Sequence, residues 1–277
     1  TMTYIVEESV PAGWQNTGAH CDNGDAPISV RPVTSALRNS PALGSTVFCT
    51  FTNTQLASVE LVKTALGGSG AFHFVLTGEE YGDDFRTVSV NSGMTASVSW
   101  KDREPGPYTI KELDPGDEWH ASAITCVIYP PTGSPRSDDA SFVLAAGERA
   151  VCAITNTRRG QIVIRKVTEP TSHKEFGFST SFGPNVSVVT GQPYYSPKLD
   201  PGIYTVTESQ PLPSGWDLVG SSCSDGSPTN AISLGAGETI TCKAFQVENE
   251  MGDQFFCTDS SGLPHEYFKA CAPKSGV

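Results

Sequence analysis

One segment occurs three times in this chain, and it limits the choice of fold more than any other feature. YIVEESVPAGW (Tyr4–Trp14), YTIKELDPGDEW (Tyr108–Trp119) and YTVTESQPLPSGW (Tyr204–Trp216) are versions of it. In each copy a Cys stands seven positions after the Trp, at Cys21, Cys126 and Cys223. A second Cys follows at Cys49, Cys152 and Cys242, and the first two of these open the near-identical strings CTFTNT and CAITNT. Ten residues beyond Asn53 and Asn156 stand Lys63 and Lys166. A period of about one hundred residues makes each copy a domain rather than one rung of a solenoid.

Within a period the signals are short alternating runs of Val, Ile, Thr, Tyr and Phe, such as FHFVLTG (Phe72–Gly78) and TASVSW (Thr95–Trp100). Gly and Pro punctuate them, as in EPGP (Glu104–Pro107) and DPG (Asp200–Gly202), and no segment carries a helical period. The expectation is an all-β chain of tandem immunoglobulin-like sandwiches. Residues 1–54 read as the C-terminal half of a first repeat, 55–157 as a second, 158–250 as a third, and 251–277 as a tail with its own Cys257 and Cys271. The chain opens on TMTYIVEESV, without Met at position 1 or a leader-like stretch, and reads as a mature or excised segment of a secreted protein.

Strand parity selects the candidate site. Alternate residues share a face, so Cys152, Ile154 and Asn156 point one way, as do Ile162, Ile164 and Lys166. Tyr108, Ile110 and Glu112 share a face, as do Tyr204, Val206 and Glu208. In the second repeat the inward rows therefore end in Lys63, Glu112 and Asn156. Burial lowers the pKa of an amine and raises that of a carboxyl. A neutral Lys is a nucleophile, and a protonated Glu can polarise an amide and shuttle protons. Attack on the Asn side chain expels ammonia and leaves a Lys63–Asn156 isopeptide bond between an early strand and the last. The alternative for the same residues is a buried Lys–Glu ion pair with Asn156 hydrogen-bonded beside it.

The Lys near the start, the Y-T-V-T-E strand followed by P-x-G-W, and the terminal T-N-T resemble the prealbumin-like, CnaB-type (SpaA-like) repeat domains of Gram-positive surface adhesins and pilins. The resemblance covers residues 1–250 as repeats, and the paired cysteines resemble the disulfide-bearing, actinobacterial-type branch. It implies a reversed immunoglobulin-like sandwich, used as a stiff stalk unit and often locked by the isopeptide bond just described. Carried over by position, Lys63 is the reactive amine, Glu112 the catalytic carboxyl and Asn156 the acceptor.

The other repeats depart from this pattern. In the third, Lys166 and Glu208 match, but Gln246 stands four residues beyond Cys242 where Asn is expected. Asn249 is the nearest Asn, on the opposite parity, so a second bond through Lys166, Glu208 and Asn249 requires a bulge in the last strand. The first repeat has Glu8 and Asn53 but no Lys strand, which leaves both unpartnered by an amine.

The eight cysteines lack C-x-x-C pairs, which points to four disulfides and an oxidising compartment. The simplest pairing is Cys21–Cys49, Cys126–Cys152, Cys223–Cys242 and Cys257–Cys271, although sequence alone leaves other connectivities open. The net charge of −12 argues against a nucleic-acid partner, and no apolar run is long enough to span a membrane. No Ser–His–Asp or metal-ligand spacing is present; no cofactor, no metal and no catalytic site are expected. The acidic loops CDNGD (Cys21–Asp25) and GEEYGDDF (Gly78–Phe85) lack EF-hand spacing. Trp14, Trp119 and Trp216 read as core packing beside the disulfides, with a sugar-stacking platform as the alternative.

The functional expectation is a non-enzymatic, extracellular, cell-surface structural protein, a segment of a stalk, fibre or pilus shaft. Its partners would be neighbouring repeats or copies of itself in a filament. The rival is an adhesin that binds a host protein or glycan through sandwich loops, Pro130–Ala140 above all, or through the tail. HEYFK (His265–Lys269) echoes VELVK and IVIRK. Donated to the first repeat of a neighbouring copy, that strand would build a head-to-tail filament linked through Lys269 and Asn53.

Overall fold

The computed structural model of the protein describes residues 4–22, 27–30, 34–39 and 46–249. Its elements are all strands, and no helix among the described residues is long and apolar enough to cross a membrane. The first repeat contributes β1 (Tyr4–Ser9), β2 (Trp14–Cys21), β3 (Pro27–Val30), β4 (Thr34–Asn39) and β5 (Cys49–Gln55). They form two sheets, β1-β4-β3 and β2-β5.

The second repeat runs through β6 (Ala57–Leu66), β7 (Gly70–Gly78), β8 (Gly82–Val90), β9 (Thr95–Arg103) and β10 (Gly106–Glu112). It continues with β11 (Trp119–Ala121), β12 (Thr125–Tyr129), β13 (Arg136–Asp138), β14 (Ser141–Leu144) and β15 (Arg149–Arg158). One sheet has the order β14-β10-β7-β8; the other has β13-β12-β15-β6-β9, with β11 also paired to β15.

The third repeat holds β16 (Gln161–Glu169), β17 (Phe176–Thr180), β18 (Gly183–Val188), β19 (Tyr194–Tyr195) and β20 (Gly202–Tyr204). Then come β21 (Val206–Glu208), β22 (Trp216–Cys223), β23 (Ile232–Leu234) and β24 (Thr239–Glu248). Its sheets are β19-β16-β24-β22 and β18-β17-β21, with β20 paired to β23. The backbone divides into two compact units, one holding the first two repeats and the other holding the third together with Leu66–Gly68 and Gly116–His120.

Alternation builds each core. Along β6, Ala57, Val59, Leu61, Lys63 and Ala65 are buried while the residues between them are not. β15 does the same with Ala150, Cys152, Ile154 and Asn156, and β24 with Ile240, Cys242, Ala244 and Gln246. The repeated Tyr has a structural task that its place in the pattern alone does not reveal. The Tyr108 hydroxyl donates to the Glu104 carbonyl at 2.7 Å, and Tyr204 donates to the Asp200 carbonyl at the same distance. Each ring thus ties the start of its strand to the preceding Pro-Gly turn. Gly78 lies opposite Tyr108, and a Cβ there would come within 2.5 Å of that ring.

The three described disulfides join Cys21 to Cys49, Cys126 to Cys152 and Cys223 to Cys242, as the simplest pairing expects. Each joins residues directly opposite one another in an antiparallel pair, with Cα atoms 3.9 to 4.1 Å apart. The repeated Trp is less uniform. Trp216 is buried edge-on against Phe176, Trp119 is half-buried, and Trp14 is 42% exposed. Cys257, Cys271 and the HEYFK segment lie outside the described residues, as does most of CDNGD.

Cys126 and Cys152 enclose 26 residues of sequence separation, so the double variant Cys126→Ala/Cys152→Ala is expected to lose about 3 kcal/mol. Calorimetry should show one transition lowered, with that of the third repeat left in place.

Candidate functional site: a lysine, a carboxyl and an amide in the core

Lys63 projects from β6 into the space between the two sheets of the second repeat, and its side chain is 0% exposed. Its Nζ lies 3.1 Å from Glu112 Oε1 at the end of β10, in the facing sheet. Asn156, fully buried on β15, donates from Nδ2 to the same oxygen at 2.9 Å. The structure therefore brings Lys63, Glu112 and Asn156 together. β15 is the hydrogen-bonded neighbour of β6, so amine and amide stand on adjacent strands with the carboxyl across from them.

The remaining surroundings are apolar. The amine sits over the Phe72 ring, 4.3 Å from its centroid, with Phe74 at 5.9 Å. Burial pushes the Lys63 pKa below that of an ordinary lysine, and the Glu112 carboxylate offsets part of that shift. Glu112 Oε2 and Asn156 Oδ1 are buried without hydrogen-bond partners. A half-turn of the Asn156 amide would bring Oδ1 in place of Nδ2 to face Glu112 Oε1.

The third repeat rebuilds the cluster with one exchange. Lys166 Nζ donates to Glu208 Oε1 at 3.0 Å and stands over the Phe176 ring, 4.1 Å from its centroid. Burial lowers the Lys166 pKa to about 8 and raises that of Glu208; the opposite charge of each moderates the shift of the other. The amide partner is Gln246, fully buried, which donates from Nε2 to Glu208 Oε2. Asn249 is not brought to the site: it is exposed, and its Nδ2 donates to Asp217 Oδ2 at 3.2 Å. The bulge it would need does not occur in β24, where pairing with β16 runs unbroken from Gln161↔Thr239 to Glu169↔Val247. The register shift falls in the neighbouring strand instead, between Leu218 and Gly220 of β22.

The first repeat holds the carboxyl and the amide. Asn53 Nδ2 donates to Glu8 Oε1 at 2.5 Å, and Asn16 Nδ2 donates to Glu8 Oε2 at 3.0 Å. Both Glu8 and Asn53 are half-buried, whereas Asn156 and Gln246 are fully buried.

The phenylalanines under the amines were not singled out from sequence. The signal was present: Phe72-His73-Phe74 and Phe176-Gly177-Phe178 follow their lysines by nine and ten residues. Each also places its second Phe opposite the glutamate, as Phe74↔Glu112 and Phe178↔Glu208. Among the described residues no group of three or more His, Cys, Asp or Glu side chains could hold a metal ion.

A two-sheet sandwich with a Lys-bearing first strand beside an amide-bearing last strand defines the class of fold. The family model described as the prealbumin-like fold domain matches residues 1–55 and 59–158, and the chain belongs to that family. Among solved structures it is similar to the T-13 major pilin of Streptococcus pyogenes, at 13% identity over 71% of this chain and 98% of that one, with a TM-score of 0.29. It is also similar to the TIE protein of Bacillus anthracis, at 16% identity over 89% of this chain and 51% of that one, with a TM-score of 0.30. A C-terminal fragment of the pilus adhesin SpaC from Lactobacillus rhamnosus GG matches at 12% identity over 72% of this chain and 100% of that one, with a TM-score of 0.27. No protein of curated function matches the chain.

Removing the Lys63 amine alone strands Glu112 in an apolar core. Lys63→Met is expected to be less stable than Lys63→Met/Glu112→Gln by about 2 kcal/mol at neutral pH, because the double variant also removes the uncompensated charge. Urea denaturation of the two variants measures this, and neither carries an amine in the second-repeat cluster.

Proposed function

We propose that the protein is a non-enzymatic structural protein of a bacterial cell surface, a segment of a stalk, fibre or pilus shaft. In this reading Lys63 and Asn156 tie the first and last strands of the second repeat through an intramolecular isopeptide bond. The observation that carries the reading is the Lys63–Glu112–Asn156 cluster, its amine and amide fully buried, bridging those two strands. The disulfides support an oxidising, extracellular compartment. Chemistry at the cluster is a single self-modification, with Glu112 moving a proton from the attacking amine to the departing ammonia. Repeats stiffened in this way suit copies of the chain joined end to end in a filament.

A second reading, an adhesin, draws on one observation: residues 131–139, within the Pro130–Ala140 loop, are exposed. Arg136 in that stretch is anchored by a two-pronged contact to the buried Glu148, at 2.5 and 2.8 Å. The loop is therefore held rather than free, as a recognition surface would be.

The deciding measurement is the intact mass of the reduced, denatured chain, followed by peptide mapping. This reading requires the loss of at least one ammonia, with the peptides containing Lys63 and Asn156 joined; the join should disappear in Glu112→Ala. An unmodified mass would leave the disulfides as the only covalent ties and favour the adhesin.

A further inference from the structure

The amide in the third repeat is a glutamine, held against the same glutamate as the lysine. Gln246 lies in the same inward row of β24 as Cys242 and Ala244. Lys166 stands opposite Ala244 in the parallel pairing of β16 with β24, one inward position before Gln246. The two side chains therefore share one face of adjacent strands. The Glu208 carboxyl accepts from both, the Lys166 amine on one oxygen and the Gln246 amide nitrogen on the other. Gln246 Oε1 is buried with no hydrogen-bond partner, the same deficit as that of Asn156 Oδ1 in the second repeat.

We propose that Lys166 and Gln246 form an Nε-(γ-glutamyl)lysine bond within the third repeat, with Glu208 as the proton carrier. The proposal rests on the chemistry put forward for Lys63 and Asn156, extended to an acceptor one methylene longer. Neutral Lys166 Nζ attacks Cδ of Gln246. The Nζ–Cδ bond forms, the Cδ–Nε2 bond breaks, and the proton lost by the amine passes through the Glu208 carboxyl to the departing nitrogen. The products are a secondary amide and one ammonia; no water, oxidant or cofactor is consumed.

Two features favour the reaction. The carboxyl already touches both the nitrogen that must lose a proton and the nitrogen that must gain one, so the proton needs no further carrier. Burial brings the amine close to neutrality near pH 8. A cavity of about 220 Å3, lined by Ile164, Phe178, Val206, Glu208 and Ala244 among others, lies beside the cluster. The extra methylene of Gln lengthens the reach from β24 without altering which atoms react.

The test is peptide mapping of the intact chain with fragmentation of the joined peptides. Expected are two ammonia losses, one join between Lys63 and Asn156 and another between Lys166 and Gln246. Fragment ions must place the second join on Gln246 rather than Asn249, which shares its tryptic peptide. Glu208→Gln should abolish the second join and retain the first, which serves as an internal control. Joined Lys63 and Asn156 with Lys166 free would overturn this proposal and leave the proposed function standing. A join at Asn249, or a loss of water between Lys166 and Glu208, would overturn it as well. With both lysines free, the two readings fail together.

Discussion

A lysine in a row with Val59, Leu61 and Ala65 faces a core that offers it no water, and much of each complete repeat is arranged around that fact. A buried amine must find a counter-charge, lose its proton, or stop being an amine. The facing sheet supplies Glu112 and two phenylalanine rings, and the neighbouring strand supplies an amide. Burial lowers the pKa of the amine and so favours its neutral form, against the pull of the Glu112 carboxylate. The Lys63 amine, Glu112 Oε2 and Asn156 Oδ1 all lack hydrogen-bond partners. The proposed bond would consume that amine.

The position of the last strand turns that local chemistry into mechanics. β15 lies between β12 and β6, and β24 lies between β22 and β16. On one side each last strand carries a disulfide to the strand that follows the repeated Trp. On the other side it faces the lysine of the first strand. Tension applied to the two ends of such a repeat loads its first and last strands against each other. In the third repeat those strands run parallel, so the load shears their hydrogen-bond ladder as a whole, and a covalent bond across the pair would share that load. The disulfide does not take this load, because it joins the last strand to one that is not the first of its repeat.

The repeat, the all-β class and the pairing partners within each repeat were legible in the sequence because they depend on spacing and period-2 parity. Lys63, Glu112 and Asn156 were legible for the same reason. Two features lay beyond that logic. The hydroxyl of Tyr108 reaches a carbonyl four residues earlier, a contact set by the shape of the turn rather than by alternation. Register was the other. Expecting Asn249 at the third cluster required a bulge in β24, and the irregularity belongs to β22. It recurs in the first repeat, where pairing of β2 with β5 shifts between Asn16 and Gly18. Both shifts skip the residue three beyond the repeated Trp, Thr17 and Val219. In the second repeat the same place is Ser122, where β11 has ended and β12 has not begun. The irregularity is thus a property of the Trp strand, and the last strand keeps its parity in every copy.

Unbroken parity in the last strand explains why the residue four beyond its Cys is an amide in each repeat: Asn53, Asn156 and Gln246. All three donate to the glutamate of the facing sheet. The second group on that glutamate varies: the Lys63 amine in ion-pair contact, Lys166 donating, or, in the first repeat, Asn16 donating. The carboxyl–amide contact therefore does not depend on an amine for its geometry. It is fixed by the Y-x-[VI]-x-E strand, with Tyr108 and Tyr204 anchored to their turns in the complete repeats, and by the disulfide-bonded last strand. An amine entering such a pair meets an acceptor and a proton carrier that are already in position, so the ordering cost of the reaction is met by the fold rather than at the moment of attack.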